Sequence, residues 1–184
     1  MHIANLPYGT LLPLTFAMQA AQINYFTEDI LFALPKKALI TRWLQQLITQ
    51  EKAVLGYLNV IFCSDQYLYA HNLQYLQHDT LTDVITFDYS ETPGLIEGEV
   101  YISVPRVQEN ADTFQVLFLQ ELHRVMAHGV LHLLGYKDKT AHDKATMRAK
   151  EEKCLVAYEQ MLVNSYQNAS RKHALINHNM TTQK

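Results

Sequence analysis

From Asp112 to Leu134 apolar side chains recur at helical spacing, at Phe114, Leu117, Phe118, Leu122, Val125 and Met126, and Gly135 ends the run. That period predicts one long amphipathic helix, capped by Asp112 and stopped by Gly135 in the left-handed conformation. Such a helix must be covered, and the segments before it provide the cover. Gly56 to Cys63 is rich in aromatic and β-branched residues and reads as a strand; so do Asp83 to Tyr89, Gly98 to Val104 and the shorter Ile23 to Phe26. Lys37 to Gln50 carries a helical stripe of Leu39, Ile40, Trp43, Leu44, Leu47 and Ile48. Ser64-Asp65 offers a cap for a helix over Gln66 to Leu76, and a last helix is expected from about Thr140 to Val163. The Pro93-Gly94 turn predicts an antiparallel pair, whereas helix-bearing connections predict parallel neighbours. The expected fold is α+β: a single domain with a mixed β-sheet packed with helices, its site at the end of the long central helix.

Composition narrows the classes. Of 184 residues, 48% are hydrophobic and 18% charged, which supplies a core and excludes disorder across the whole chain. A net charge of −3 provides no bulk field for a polyanion, so any nucleic-acid contact must rest on a local basic patch or a metal. Cys63 and Cys154 are far apart and lack metal-type spacing, which fits a reducing cytosol. No run of 18 apolar residues occurs, so a membrane span is not expected. Leu11 to Ala21 is apolar, but Met1 to Thr10 has no Lys or Arg, and Pro13 and Gln19 interrupt the stretch. Residues 1–22 therefore read as an N-terminal extension rather than a signal peptide, 23–163 as the folded domain and 164–184 as a flexible polar tail.

The chemistry concentrates near Gly135. His128 and His132 are four apart near the end of the expected helix, so both imidazoles project from one face. That spacing suits two ligands of a tetrahedral metal. Once Gly135 releases the helix, Asp138 follows three residues later and can fold its carboxylate onto the same ion. Three protein ligands leave a fourth position open, which is the catalytic arrangement. His142 is a rival third ligand, ranked second because it falls inside the next helix. Zinc peptidases of the His-Glu-x2-His class carry their general base directly after the first His. Here Gly129 stands there, which disfavours peptide hydrolysis.

Several neighbours admit two readings. Glu121, one heptad before His128, either helps orient an imidazole or pairs with a surface cation. Asp83 either reaches the site or caps its own strand. His123 lies on another helix face and reads as an ordinary helix residue. Lys137, Lys139, Lys144, Arg148, Lys150 and Lys153 follow the ligand loop, diluted by Asp143, Glu151 and Glu152. They read equally as phosphate contacts or as a solvated helix face, and Arg171, Lys172 and His173 in the tail could add to them.

The stretch His128 to Asp138 resembles the signature His-Gly-x-Leu-His-Leu-x-Gly-Tyr-Asp-His of the YbeY family, bacterial endoribonucleases of rRNA maturation. His128, Gly129, Leu131, His132, Leu133, Gly135 and Tyr136 match it. Asn72 to Tyr75, His78-Asp79 and Thr82 to Phe87 resemble a second family block, and Gly98 to Ser103 a third, over roughly Ile23 to Tyr158. Two positions depart from the pattern. Asp138 stands where the family usually has a third His, and Leu76 where it usually has an Arg, so that Arg's role cannot be carried over. His78 occupies a position where Lys is frequent.

The resemblance implies a cytoplasmic, single-strand-specific metallo-endoribonuclease of 16S rRNA 3′-end maturation and ribosome quality control. It implies one Zn2+ on His128, His132 and Asp138, a metal-activated water, and rRNA, the ribosome or its small subunit as partners, with neither DNA nor membrane. Two alternatives remain at this stage: a metal-dependent hydrolase of another ester or amide, and a non-enzymatic ribosome-assembly factor with a structural metal.

Overall fold

The structure, a computed structural model, describes residues 21–76 and 80–181, with side chains described up to Arg171 except that of Leu76. Residues 1–20 of the expected extension, and His78 and Asp79, lie outside the described residues. Four strands form one sheet in the order β1-β2-β4-β3. They are β1 (Gln22–Glu28), β2 (Val54–Cys63), β3 (Val84–Asp88) and β4 (Leu95–Ser103). β1 and β4 flank β2 in parallel, and β3 runs antiparallel to β4. The sheet is mixed and the domain is α+β, as the connections predicted.

One face of the sheet carries the core. Helix α1 (Lys37–Gln50) buries all six residues of its expected stripe, and the Trp43 indole N–H donates to the Cys154 carbonyl at 2.8 Å. Helix α2 (Asp65–His71) is capped by the Ser64 hydroxyl, which accepts from the Tyr67 amide, and runs on into a π-helical turn over Asn72–Leu76. The later helices are α3 (Val104–Phe114), α4 (Phe118–Leu133) and α5 (Ala141–Thr181).

The single helix expected from Asp112 to Leu134 is therefore two. Ser103 caps α3 by accepting from the Arg106 amide, and Pro105 occupies its first turn. Gln115 at φ 55° ends α3, so Asp112 lies in a last turn rather than at a cap. The buried stripe does not carry across the break: Phe114 and Leu117, counted in the expected period, are exposed, whereas Leu122, Val125 and Met126 of α4 are buried. Two other boundaries move by three residues or more: β4 begins at Leu95 rather than Gly98, and α5 continues beyond Val163 to Thr181. Past Met161 and Leu162, which still pack against the core, α5 runs on with most of its described side chains exposed, so no apolar stripe marks its end.

Helix α4 reaches the sheet through a residue without a side chain. A Cβ at Gly129 would stand 2.5 Å from Val100 Cγ1 of β4, closer than packed carbons tolerate. This close approach fixes how α4 is turned: position 129 meets the sheet at Val100, and His132, one turn on, lines a cleft with Val84, Ile85 and Thr86 of β3.

His123, on the opposite side of α4, is buried with its ring 4.0 Å from that of Tyr158 and 5.8 Å from that of Trp43. Burial pushes its pKa down to about 4. The unfolded chain binds this proton near the ordinary value of 6.5, so acid favours unfolding through the window from 6.5 down to about 4. The full span corresponds to about 3 kcal/mol at 1.36 kcal/mol per pH unit. Urea melts of His123→Phe between pH 7 and 4.5 should show a shallower acid loss of stability than the parent; equal slopes would assign the loss to other groups.

Candidate metal centre

Helix α4 places His128 and His132 one turn apart, with their Nε2 atoms 2.9 Å from each other. Leu134 closes the helix and Gly135, at φ 92°, turns the chain back. The returning loop brings Asp138 Oδ2 to 3.9 Å from His128 Nε2 and 3.8 Å from His132 Nε2. The ligand atoms of these three residues all lie within 4.8 Å of one another. His142 is exposed and stands outside this cluster.

The outer nitrogens decide what the inner ones can do. His132 Nδ1 lies 2.9 Å from the Tyr136 carbonyl, which can only accept, so Nδ1 carries the proton. His128 Nδ1 lies 2.6 Å from the Glu151 carboxylate and donates to it in the same way. Each neutral ring then turns an Nε2 lone pair toward Asp138. A tetrahedral ion with bonds of about 2.0–2.1 Å sets neighbouring ligand atoms about 3.3 Å apart. The observed separations of 2.9, 3.8 and 3.9 Å bracket that value, and two imidazoles with a carboxylate form a borderline donor set that suits zinc. The residues fit a divalent transition ion.

Without an ion the two rings differ electrostatically. Burial would lower the pKa of His128, but the Glu151 hydrogen bond and charge, with Asp83 and Asp138, outweigh it and leave it raised. His132 is lowered, first by burial and then by the neighbouring His128.

Sequence reasoning missed Glu151, counting it only as a charge diluting the lysines. The signal was present. Met147, Glu151, Cys154, Leu155 and Tyr158 are all buried and repeat at helical spacing, so an acid stands in the apolar stripe of α5. A buried carboxylate needs a partner, and His128 is that partner. Glu121, the residue chosen from the sequence, is buried but touches neither imidazole. It pairs with Arg124 at 3.1 Å, and Arg124 reaches on to Glu151 at 3.4 Å. Burial raises the Glu121 pKa, and Arg124 opposes the rise. Asp83 accepts from the Asn110 side-chain amide at 3.0 Å, and its carbonyl accepts from the Ser103 amide, so it ties α3 and β4 together at the edge of the site.

A second set of contacts holds the loop. Lys150 donates to Glu51 at 2.7 Å and lies over the Tyr136 ring, whose hydroxyl also donates to Glu51 at 2.7 Å. Lys150 is thereby committed to anchoring the segment whose carbonyl orients His132. Beside the cluster opens a cavity of about 620 Å³, reaching from His128 and Asp138 to Lys144 and Arg148 of α5.

A family model described as Endoribonuclease YbeY matches residues 22–159. The chain belongs to the YbeY family. An Endoribonuclease YbeY of Amoebophilus asiaticus is 56% identical over 140 residues, covering 76% of this chain and 95% of that protein. Another, from Cytophaga hutchinsonii, is 49% identical over 138 residues, covering 75% of this chain and 96% of the relative. Among solved structures, a Thermotoga maritima protein determined in solution matches with a TM-score of 0.53 and 29% identity, over 82% of this chain and 95% of that one. The YbeY match spans all four strands and both His-bearing turns of α4, so the metal cluster lies within the family's shared part. Among the described residues no helix is long and apolar enough to cross a membrane.

Proposed function

We propose that this chain is a cytoplasmic, zinc-dependent endoribonuclease specific for single strands, acting in 16S rRNA 3′-end maturation and ribosome quality control. Residues 23–163 carry the activity, His128, His132 and Asp138 hold one ion, and the partners are rRNA and the small ribosomal subunit. One observation carries the reading: two Nε2 lone pairs and a carboxylate oxygen converge while both Nδ1 protons are engaged by Glu151 and the Tyr136 carbonyl. A divalent ion held there supplies Lewis acidity toward a phosphoryl oxygen and a nucleophile near neutral pH.

The chain's own residues set the conditions for that chemistry. Glu151 fixes the ring of His128 and raises its basicity, and the Tyr136 carbonyl fixes the ring of His132. Arg124 bridges Glu151 to Glu121 and keeps two buried carboxylates from facing one another unpaired. Gly129 is pressed against Val100, so position 129 cannot hold a peptidase-type glutamate.

The test is substrate class under metal control. Single-stranded RNA should be cleaved, cleavage should stop on chelation and return with zinc, and casein should remain intact. Return with manganese or nickel instead would change only the metal. Full metal occupancy without RNA cleavage would overturn the enzyme reading and leave the ion as a structural pin.

A further inference from the structure

The cavity beside the metal cluster has features that the ion does not explain. It is lined by Phe114 at the end of α3 and Val116 after it, by Lys144 and Arg148 from α5, and by His128 and Asp138. Its volume of about 620 Å³ falls in the range of small-ligand sites and has room for a nucleotide. Phe114, the last residue of α3, is 61% exposed and presents its ring at this opening instead of packing into the core. Lys144 and Arg148 are four apart on α5 and share a face, an arrangement that costs an isolated helix stability through like-charge repulsion. Both are exposed, and neither makes an ion pair among the described residues. The carboxylates on the same wall are engaged: Asp83 by Asn110, Glu121 and Glu151 by Arg124, and Asp138 within the metal cluster.

An exposed aromatic ring, two unpaired cations and a neighbouring ion site match what a single-stranded nucleic acid offers: a flat base, an anionic backbone and a scissile phosphate. We propose that this cavity is a nucleotide subsite for single-stranded RNA, with a base stacked on Phe114 and its phosphate held by Lys144 and Arg148. The subsite rests on the endoribonuclease reading above and adds to it where the strand lies: between α3 and α5, on the Glu151 side of the metal cluster.

The test measures affinity of the full-length protein for a fluorescent single-stranded RNA oligonucleotide by anisotropy in EDTA, where cleavage is blocked. Phe114→Ala should weaken binding about tenfold and Phe114→Tyr should restore it, since stacking needs only an aromatic face. In the double variant Lys144→Ala, Arg148→Ala the slope of log affinity against log salt should fall by about 1.4, at about 0.7 per cation for single strands. Tyr89, 52% exposed but outside the cavity, serves as the control, and Tyr89→Ala should leave binding unchanged. With zinc present, Phe114→Ala should raise KM more than it lowers kcat. If the parent cleaves RNA while the Phe114 and double variants keep its affinity and salt slope, the subsite is wrong and the endoribonuclease reading stands. Equal weakening by Tyr89→Ala would move the bases onto the sheet face and also overturn the subsite. A parent that neither binds RNA in EDTA nor cleaves it with zinc overturns both.

Discussion

Asp138→Ala should strip most of the bound metal from the purified protein, whereas His142→Ala should leave about one equivalent in place. The carboxylate of Asp138 stands within 4 Å of both Nε2 atoms, and His142 is exposed outside the cluster. Elemental analysis after gel filtration reads the difference directly. Asp138→His should still hold the ion, because imidazole and carboxylate are both good zinc ligands. Its pH–rate profile should shift toward acid, since a neutral donor leaves more charge on the ion. Loss of metal in His142→Ala and not in Asp138→Ala would show that the loop after Gly135 reaches further than this structure places it.

Glu151→Leu is expected to lower metal affinity about 10- to 100-fold, the usual cost of losing the group that orients a metal-binding histidine. The loss has two parts. The half-buried His128 Nδ1–H loses its acceptor at 2.6 Å, and Arg124 loses one of its two carboxylates. Glu151→Gln, which can still accept from Nδ1, should fall at the mild end of that range. Glu121→Gln is the contrast. It reaches His128 only through Arg124 and then Glu151, so its metal affinity should change little, and a competition titration with a zinc chelator separates the cases. If Glu121→Gln weakens metal binding as much as Glu151→Leu, the orienting role belongs to the whole chain of charges rather than to the carboxylate in contact.

The cluster of His128, His132 and Asp138 was legible because each step in it is local. A four-residue interval on a helix puts two side chains on one face, and a glycine that accepts positive φ lets a nearby carboxylate return. The α1 stripe was legible for the same reason, and all six of its residues are buried. The break at Gln115 was hidden, because Phe114 and Leu117 continue the apolar period in the sequence although both are exposed in the fold. The start of α3 was written in Ser103 and Pro105, but β-branched Val104 drew the strand reading across it.

The sequence by itself determined the elements that rest on short-range periodicity, the mixed sheet, and the two histidines with their returning aspartate. The tertiary structure decided which carboxylate serves His128, why position 129 has no side chain, and which lysine is spent on anchoring. Glu151 lies 23 residues from His128, Glu51 lies 99 from Lys150, and Gly129 meets Val100 across the helix–sheet interface. None of these contacts has a period. Each depends on how α4 and α5 settle on the sheet, and that is fixed by packing among residues far apart in the chain.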